Sequence, residues 1–437
     1  MNFSKLLFDN YETFKETQLT KRRFKHIKVK QLIGELSKKL AKNYSQLFDI
    51  QEVEKSYQGR EIYLLKIGTG KTKLLFWSQM HGDESTATEA LFDIFNFFAS
   101  PSSYSLSEFR NIILQNCTLY FVPMLNPDGA EIWQRRTAQE IDMNRDAIAL
   151  QTPEARLLKH LQQSLKPDFG FNLHNQNIYY TAGNTPNCAT ISFLAPPINY
   201  ERTIDEVRKK AMQVIGLLAE DLQQFIPKGV AKFSDEFEPR AFGDNIQRWG
   251  TSTILVESGG FFNKYGHDIE KQFIRKLNFV LLLNAAYLIA NQAYTDVDLK
   301  KYEIIPQNEK LLKDLILRNV QFKNGQLQNT QNYSVDIAFL NTEITDIFTD
   351  KITNRENYQN FSYQSCIDDI GDLSIFYGYK ELNCKGLAVE IISEIANEAT
   401  NKIIDTIKIG DNPTLVFRNQ EQEIVFRIVN GFVEKEN

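Results

Sequence analysis

A histidine and a glutamate three residues apart, in His81-Gly82-Asp83-Glu84, have the side-chain chemistry and spacing of metal ligands. The apolar run 74–80 before them predicts a strand, and the amphipathic pattern over 84–98 predicts a helix after them. Imidazole nitrogen and carboxylate oxygen both bind Zn²⁺, and a catalytic zinc takes three protein ligands and leaves a position for water. The same spacing also occurs in ordinary turns, so a third ligand has to come from elsewhere.

The chain has five histidines, and the four besides His81 are the candidates for a third ligand. His26 lies in a basic cluster over 21–28, His160 on a polar helix face and His267 just before a long apolar helix, and we predict all three at the surface. His174 differs because it ends the apolar strand pattern 169–174. A histidine at a strand end is usually structural, but beside His81 and Glu84 it is the natural third ligand.

Two further regions carry polar side chains suited to the same site. Arg135, Asp142, Asn144 and Arg145 concentrate charge shortly after an Asn-Pro-Asp-Gly turn at 126–129. A guanidinium beside an amide suits capture of a carboxylate, although a surface loop with mutual salt bridges explains the same composition. Glu257 ends a strand rich in β-branched residues, where a buried carboxylate is costly without a partner or a function.

Strand patterns alternate with helical patterns through the first two thirds of the chain. The strands are predicted over 62–67, 73–80, 118–124, 169–174 and 251–257, and the helices over 30–50, 84–98, 153–165, 204–225 and 268–292. This alternation predicts an α/β fold with a mixed, mostly parallel sheet flanked by helices. Ligands of such sheets bind beyond the carboxyl ends of the strands, which is where His81, Asn126, His174 and Glu257 lie.

The pattern changes near residue 300. An Asn324-Gly325 dipeptide and a strand pattern over 423–429, followed by Asn430-Gly431, are typical of hairpins. We therefore predict a catalytic domain over 1–299 with an N-terminal helical segment, and a β-rich accessory domain over 300–437.

The composition is that of a soluble globular protein, with 42% hydrophobic and 24% charged residues and a net charge of −5. This charge favours neither nucleic acid nor anionic membrane as a partner, and the basic cluster 21–28 is interpreted as a solvated face. No leader pattern is apparent at the N-terminus, and the four cysteines are scattered without a CxxC pair. Together these features predict a cytoplasmic protein, and they leave its oligomeric state open.

The order of these motifs resembles the zinc carboxypeptidases of the M14, carboxypeptidase A-like family. HxxE after a strand, Asn-Pro-Asp-Gly, Arg followed by Asp-x-Asn-Arg, a strand-end His and a strand-end Glu succeed one another as in that family, over about residues 30–292. The segment 55–62, Lys-Ser-Tyr-Gln-Gly-Arg-Glu-Ile, is also similar to the family's approach to its first core strands. The resemblance implies a metallocarboxypeptidase that hydrolyses the C-terminal peptide bond of a peptide and holds one Zn²⁺ per chain.

The resemblance also implies a role for each matching residue. His81, Glu84 and His174 would bind zinc, and Asp142 would fix the ring of His81 from behind. Glu257 would be the general base and Arg135 the oxyanion donor. Asn144 and Arg145 would bind the substrate's C-terminal carboxylate.

One departure from the family and two alternative functions follow from the same residues. No tyrosine occurs between Tyr200 and Tyr265, where the animal digestive members carry a mobile one, so the contacts to the substrate's terminal side chain are in doubt. The first alternative is a zinc amidase or deacylase acting on N-acyl amino acids, as in the aspartoacylase and succinylglutamate desuccinylase branch, which the Leu-His-Asn at 173–175 faintly resembles. The second is a non-catalytic peptide-binding protein on the same scaffold.

Overall fold

A computed structural model describes residues 2–21, 23–43, 48–100, 104–261, 267–322, 333–344, 362–392 and 407–434. Internal contacts divide the chain into two compact units, residues 1–309 and residues 310–437. The domain boundary predicted from the sequence, after residue 299, lies ten residues before this division. Asn324-Gly325, predicted as a hairpin turn, lies outside the described residues.

The helices of the first unit include all the long ones predicted. They are α1 Phe3–Asn10, α2 His26–Asn43, α3 Thr86–Ala99, α4 Tyr104–Asn116, α5 Pro127–Glu131, α6 Pro153–Leu165, α7 Glu206–Leu222, α8 Phe242–Arg248, α9 His267–Ala290 and α10 Lys300–Glu303, with 3₁₀ turns at Tyr11–Thr13 and Met143–Arg145. Helix α6 begins at the predicted proline because the Thr152 hydroxyl accepts a hydrogen bond from the Ala155 N–H and caps it.

The strands of the first unit form one eight-stranded sheet and a small two-stranded one. They are β1 Phe48–Lys55, β2 Glu61–Ile67, β3 Thr72–Ser78, β4 Cys117–Val122, β5 Phe169–Asn175, β6 Thr181–Ala182, β7 Ile191–Leu194, β8 Val230–Lys232, β9 Ser252–Ser258 and β10 Asn308–Glu309. The large sheet has the order β1-β2-β4-β3-β5-β9-β7-β8, and β10 pairs with β6. Its central strands β4, β3, β5 and β9 are parallel, and antiparallel pairs lie on either side. The predicted mixed, mostly parallel sheet is confirmed.

Helices cover both faces of this sheet, which explains why apolar residues on its central strands point to both faces. Leu74 and Phe76 of β3 pack in one hydrophobic cluster, while Leu75 and Trp77 point the other way into a second. On the first face the ring of Phe76 stacks between Phe121 and Phe171, with centroid distances of 4.7 and 4.5 Å. The strand ends that carry the site therefore project from the buried, closely packed central strands of the sheet.

Helix α9 crosses the first face of the sheet. Its segment Lys271–Ala290 is, among the described residues, the one helix apolar and long enough to cross a membrane by composition alone, yet most of it is buried inside this unit. Within it, Arg275 is fully buried and pairs with Asp93, while its guanidinium also donates to the carbonyls of Glu16 and Leu19. These bonds attach the N-terminal segment to α3 and α9.

Three local predictions are corrected by the structure. Phe48-Asp49-Ile50 starts strand β1 rather than ending a helix, because it pairs antiparallel with β2. His26 is buried rather than solvated, since its Nε2 lies 2.9 Å from the Glu61 carbonyl oxygen. The Asn-Pro-Asp-Gly segment is not a plain turn but the start of α5, capped by the Asn126 side chain.

The second unit is a β-sheet structure with its own core. Its strands are β11 Leu312–Phe322, β12 Tyr333–Ile344, β13 Ser362–Gly371, β14 Tyr377–Asn383, β15 Ala388–Ile392, β16 Thr414–Arg418, β17 Ile424–Val429 and β18 Phe432–Glu434. The predicted turn at Asn430-Gly431 joins β17 to β18, and both residues have positive φ, at 47° and 72°. Phe417 and Phe426 stack in the hydrophobic core of this unit, with their ring centroids 4.5 Å apart. The predicted β-rich character of this region is confirmed.

Candidate metal centre

The turn that carries His81 and Glu84 is held tightly between β3 and α3. Gln79, with φ of 51°, turns the chain at the end of β3, and its amide donates to the Gly82 carbonyl at 2.8 Å. A Cβ at Gly82 would lie 2.1 Å from the Gly129 carbonyl carbon, so only glycine allows the turn to pack against α5. Both side chains consequently leave a rigid turn at the carboxyl end of β3.

Strand β5 brings His174 to the same point. The His174 Nδ1 lies 3.1 Å from the His81 Nδ1 and 2.8 Å from the Glu84 Oε2. The Glu84 Oε1 lies 2.8 Å from the His81 Nδ1. The backbone N–H of Asn175, which the sequence did not indicate as part of the site, also donates to Glu84 Oε2 at 3.1 Å. All three side chains are buried.

These three residues fit a zinc ion. They form a cluster in which one ligand atom from each lies within 4.8 Å of the others. Two nitrogens about 2.0–2.1 Å from a tetrahedral zinc are separated by about 3.3 Å, close to the 3.1 Å between the two Nδ1 atoms. Two imidazole nitrogens and a carboxylate at such distances are all acceptors unless they carry protons, so a cation is the natural species between them.

Asp142 lies behind the candidate ligands and joins them to the 3₁₀ turn. Its Oδ1 lies 3.2 Å from the His81 Nε2 and accepts the N–H of Asn144 at 3.0 Å. Its Oδ2 accepts from the Arg135 guanidinium at 3.1 Å. Burial acts to raise the pKa of Asp142, but these donors outweigh it and lower that pKa well below its usual range. One ionised carboxylate thus orients a ligand ring and an arginine together.

Burial and neighbouring charges shift the pKa values of all three candidate ligands. Burial alone would lower the pKa of His81, but the Glu84 charge and the Asp142 hydrogen bond raise it to about 9. Burial would raise the pKa of Glu84, but the two imidazoles lower it far below its ordinary value. Burial lowers the pKa of His174, which favours the neutral ring that binds metal.

Arg135 lies against the ligands and is partly open to solvent. Its Nη1 is 3.0 Å from the His81 Nδ1 and 3.4 Å from the Glu84 Oε1. Its side chain is 44% exposed, so a substrate can reach it.

Glu257 ends β9 directly beside His174, its register partner on β5. The side chain is buried, and its Oε2 has no hydrogen-bond partner within the described parts of the chain. Burial and the nearby charge of Glu84 raise the pKa of Glu257 well above its usual value. It has the environment of a proton-transferring carboxyl group.

The 126–129 segment supports the site rather than lining it. Asp128 accepts hydrogen bonds from the Ser56 hydroxyl at 2.6 Å, the Gln58 N–H at 2.9 Å and the Arg60 guanidinium at 2.7 Å. These hydrogen bonds join segments 55–62 and 126–129, which are about seventy residues apart in the sequence. They fix α5, against which the ligand turn packs.

Asn144 and Arg145 lie in the 3₁₀ turn next to Asp142. The Asn144 Oδ1 accepts the Phe242 N–H at 2.9 Å. The Arg145 Nε lies 3.2 Å from the Glu238 Oε2, in the loop that precedes α8. Asp244 is buried and accepts the Glu238 N–H at 3.1 Å.

The sequence of residues 33–149 matches the family described as zinc carboxypeptidase, Peptidase_M14. The resemblance to M14 is confirmed. The matched M14 segment contains His81, Glu84 and Asp142 with the arginines and Asn144, whereas His174 and Glu257 lie beyond it. The cluster described above brings His174 to this segment in space.

Carboxypeptidases are also found among the similar curated proteins and solved structures. The chain is 27% identical over 115 residues to carboxypeptidase SOL1 of Arabidopsis thaliana, covering 25% of this chain and 23% of that protein. It is 25% identical over 192 residues to a probable carboxypeptidase 2 of Trichophyton verrucosum, covering 43% and 32% respectively. The chain thus spans about a quarter to a third of these M14 relatives. A metallo-carboxypeptidase structure from Burkholderia cenocepacia aligns over 62% of this chain and 70% of its own, with 15% identity and a TM-score of 0.49.

Proposed function

We propose that this protein is a zinc-dependent metallocarboxypeptidase that releases the C-terminal residue of a peptide. The observation that carries the proposal is the convergence of His81, Glu84 and His174 with Glu257 beside them. The M14 match supports the reaction class, and the 3₁₀ turn with Asn144 and Arg145 supports a substrate with a free carboxylate.

In this proposal His81, Glu84 and His174 hold the zinc ion. When bound there, Zn²⁺ supplies Lewis acidity and lowers the pKa of a coordinated water to about 7.

The chain's own residues then divide the remaining tasks. Glu257 accepts a proton from the attacking water and returns it to the leaving amine nitrogen, a role worth roughly 10²–10⁴-fold. The Arg135 guanidinium donates to the oxyanion as the carbonyl becomes tetrahedral, for which one donor contributes on the order of 3 kcal/mol. Arg145 and the Asn144 amide group bind the terminal carboxylate and place the last peptide bond beside Glu257.

The test compares three sets of substrates with the zinc-loaded full chain. Peptides with a free C-terminus should lose their last residue, while the same peptides with an amidated C-terminus should remain intact. Hydrolysis of N-acyl amino acids alone would replace this proposal by the amidase alternative. His174→Ala should abolish both stoichiometric zinc and turnover, and His160→Ala, an exposed histidine on α6, is the matched control.

We also propose a cytoplasmic location. The four cysteines are scattered along the sequence without a CxxC pair, and Cys117, Cys188 and Cys384 are buried. Few and scattered cysteines are typical of a protein from a reducing compartment. Fractionation of the source cells with an antibody against the chain tests this location, and recovery outside the cytoplasm would contradict it.

A further inference from the structure

The loop that precedes α8 docks on the residues proposed to bind the substrate's carboxylate. The Ala147 N–H donates to the Arg240 carbonyl at 3.1 Å, and the Phe242 N–H donates to the Asn144 Oδ1 at 2.9 Å. The second bond uses the oxygen of the Asn144 amide, so the NH₂ group is the end left to donate. The loop and the 3₁₀ turn thus form one surface.

Within this surface, the carboxylate of Glu238 lies between two guanidinium groups. Its Oε2 is 3.2 Å from the Arg145 Nε. Arg240 holds it through two parallel hydrogen bonds, from Nε to Oε1 at 2.9 Å and from Nη2 to Oε2 at 2.8 Å. The hydrogen bonds from Arg240 lower the pKa of Glu238 to about 2, with the charge of Arg145 adding to the effect. Glu238 is therefore ionised at neutral pH.

The backbone of Glu238 is anchored, so the carboxylate is presented in a defined place. Its N–H donates to the Asp244 Oδ1 at 3.1 Å, and its carbonyl accepts the Ala241 N–H at 2.9 Å. Asp244 is itself buried in the first turn of α8. Because these bonds fix the backbone of Glu238, little conformational entropy is lost when its side chain contacts Arg145.

We propose that Glu238 is an internal competitor for the C-terminal carboxylate of the substrate, an inference that rests on the proposed carboxypeptidase function. Without substrate, its carboxylate takes the position beside Arg145 that a terminal carboxylate needs. When a substrate binds, the ion pair between Glu238 and Arg145 breaks, while the two hydrogen bonds from Arg240 to Glu238 remain. Arg145 and Arg240 with Glu238 carry a net charge of +1, so the arriving carboxylate completes the charge balance.

This arrangement affects binding more than the chemical step. Glu238 contacts Arg145, Arg240 and Asp244, whereas the proton transfer belongs to Glu257 at the end of β9. Competition at the carboxylate subsite raises KM for every substrate with a free C-terminus. The same free-energy cost applies to each of these peptides, so a peptide needs further contacts to reach a given affinity.

The experiment measures kcat and KM of the zinc-loaded full chain on a cleavable peptide. Glu238→Gln should lower KM about two- to five-fold, the range expected for loss of a partly exposed ion pair, with kcat unchanged. Glu236→Gln is the matched control, because it removes the same charge from an exposed position two residues away. An unchanged KM in Glu238→Gln overturns the proposal, as does an equal decrease in the control.

A double-mutant cycle locates the effect on Arg145. Arg145→Gln should raise KM on its own, and adding Glu238→Gln to it should change KM no further, since the group competed for is gone. A decrease of the same size in both backgrounds would show that Glu238 acts elsewhere and would overturn the proposal.

A binding measurement separates this inference from the proposed function. Calorimetry with the Glu257→Gln chain, with and without Glu238→Gln, compares one peptide in free-acid and amidated forms. If Glu238→Gln tightens binding of the free-acid peptide but not of the amidated peptide, competition at Arg145 is supported. This holds even if the unaltered protein cleaves no peptide. Cleavage by the unaltered protein without this difference would leave the peptidase standing and remove the role of Glu238.

Discussion

Glu257 is the buried carboxyl group whose position fits proton transfer at the candidate metal centre. It is buried at the end of a strand, beside a candidate metal ligand, with one oxygen lacking a partner within the described residues. Such a group lowers stability relative to a neutral isostere, and a role in the reaction would explain why it is retained.

We expect Glu257→Gln to reduce kcat about 10²–10⁴-fold while zinc content stays at one per chain. The amide keeps the shape of the side chain but cannot accept the proton. The measurement is turnover on a free-acid peptide together with elemental analysis of the same preparation. Activity near that of the unaltered enzyme would remove Glu257 from the role of base.

Asp142→Asn separates orientation of the site from direct ligation. The amide keeps a hydrogen bond but loses the charge that holds the His81 ring and Arg135. We expect zinc affinity to fall about 10–100-fold, the range for a lost partner of a ligating histidine. Competition with a chelator measures it. Asp146→Asn, which alters a carboxylate that caps the following turn, is the control, and an equal loss there would point to a general effect on the fold.

At the level of single elements, helix α6 carries a glutamate whose ionisation opposes folding. Glu154 is fully buried at the start of the helix. Burial raises its pKa to about 7, the charge of Asp128 adds to the rise, and backbone N–H groups offset part of it. The unfolded chain releases this proton near the ordinary value of 4.5, whereas the folded chain keeps it until about pH 7.

The consequence is a stability difference with a defined sign. Below pH 4.5 Glu154 is protonated in both states, so its ionisation does not affect the free energy of unfolding. Between pH 4.5 and 7 the free energy of unfolding falls as the pH rises. Above pH 7 this decrease is complete. Glu154→Gln should therefore gain stability over the unaltered chain as pH rises from 4.5 to 7, by at most about 3 kcal/mol. Urea unfolding at several pH values measures this, with exposed Glu201→Gln as control. A difference that does not vary with pH would contradict the assignment.

The elements that position the ligands were the most predictable part of the fold. The run 74–80 before His81 and the run 169–174 before His174 are buried on both faces in the structure, so their apolar pattern has a direct physical cause. The start of β1 was missed because Phe48 and Ile50 continue the helical spacing of α2, and its partner strand is needed to show the difference.

Side-chain pairings between distant segments were the least predictable part. Asp128 joins Ser56 and Arg60, and Glu238 joins Arg145, across stretches whose local patterns give no hint of contact. His26 looked solvated because its neighbours are basic, yet the carbonyl of Glu61 gives its ring a buried partner. These contacts depend on the tertiary fold, and only the family resemblance indicated the roles of Asp142 and Asn144 in advance.

At the scale of the whole molecule, the first unit extends beyond the predicted boundary. Tyr302 is buried, and its hydroxyl accepts the Ala195 N–H at 3.2 Å, while β10 pairs with β6. Residues 300–309 thus complete the hydrogen bonding of this unit.

A chain ending at residue 309 should fold and hold zinc, whereas one ending at 299 should be less stable by about 3–5 kcal/mol. Removing a buried aromatic side chain alone costs that much. Thermal and urea unfolding of the two truncated chains compares them, with zinc content as a second readout. Equal stability would show that residues 300–309 contribute nothing to the unit. Comparison of the 309 truncation with the full chain then tests whether residues 310–437 alter substrate range or assembly.

The shared carboxylate of Asp142 has a consequence for how such a protein can change over generations. Because one side chain steadies a ligand ring, an arginine and the backbone of the 3₁₀ turn, a substitution that remodels this turn for a new substrate also disturbs the ion. Adaptation is then easier in the loop around Glu238, which touches the turn without sharing that anchor. Diversity among descendants of this chain should accumulate there first.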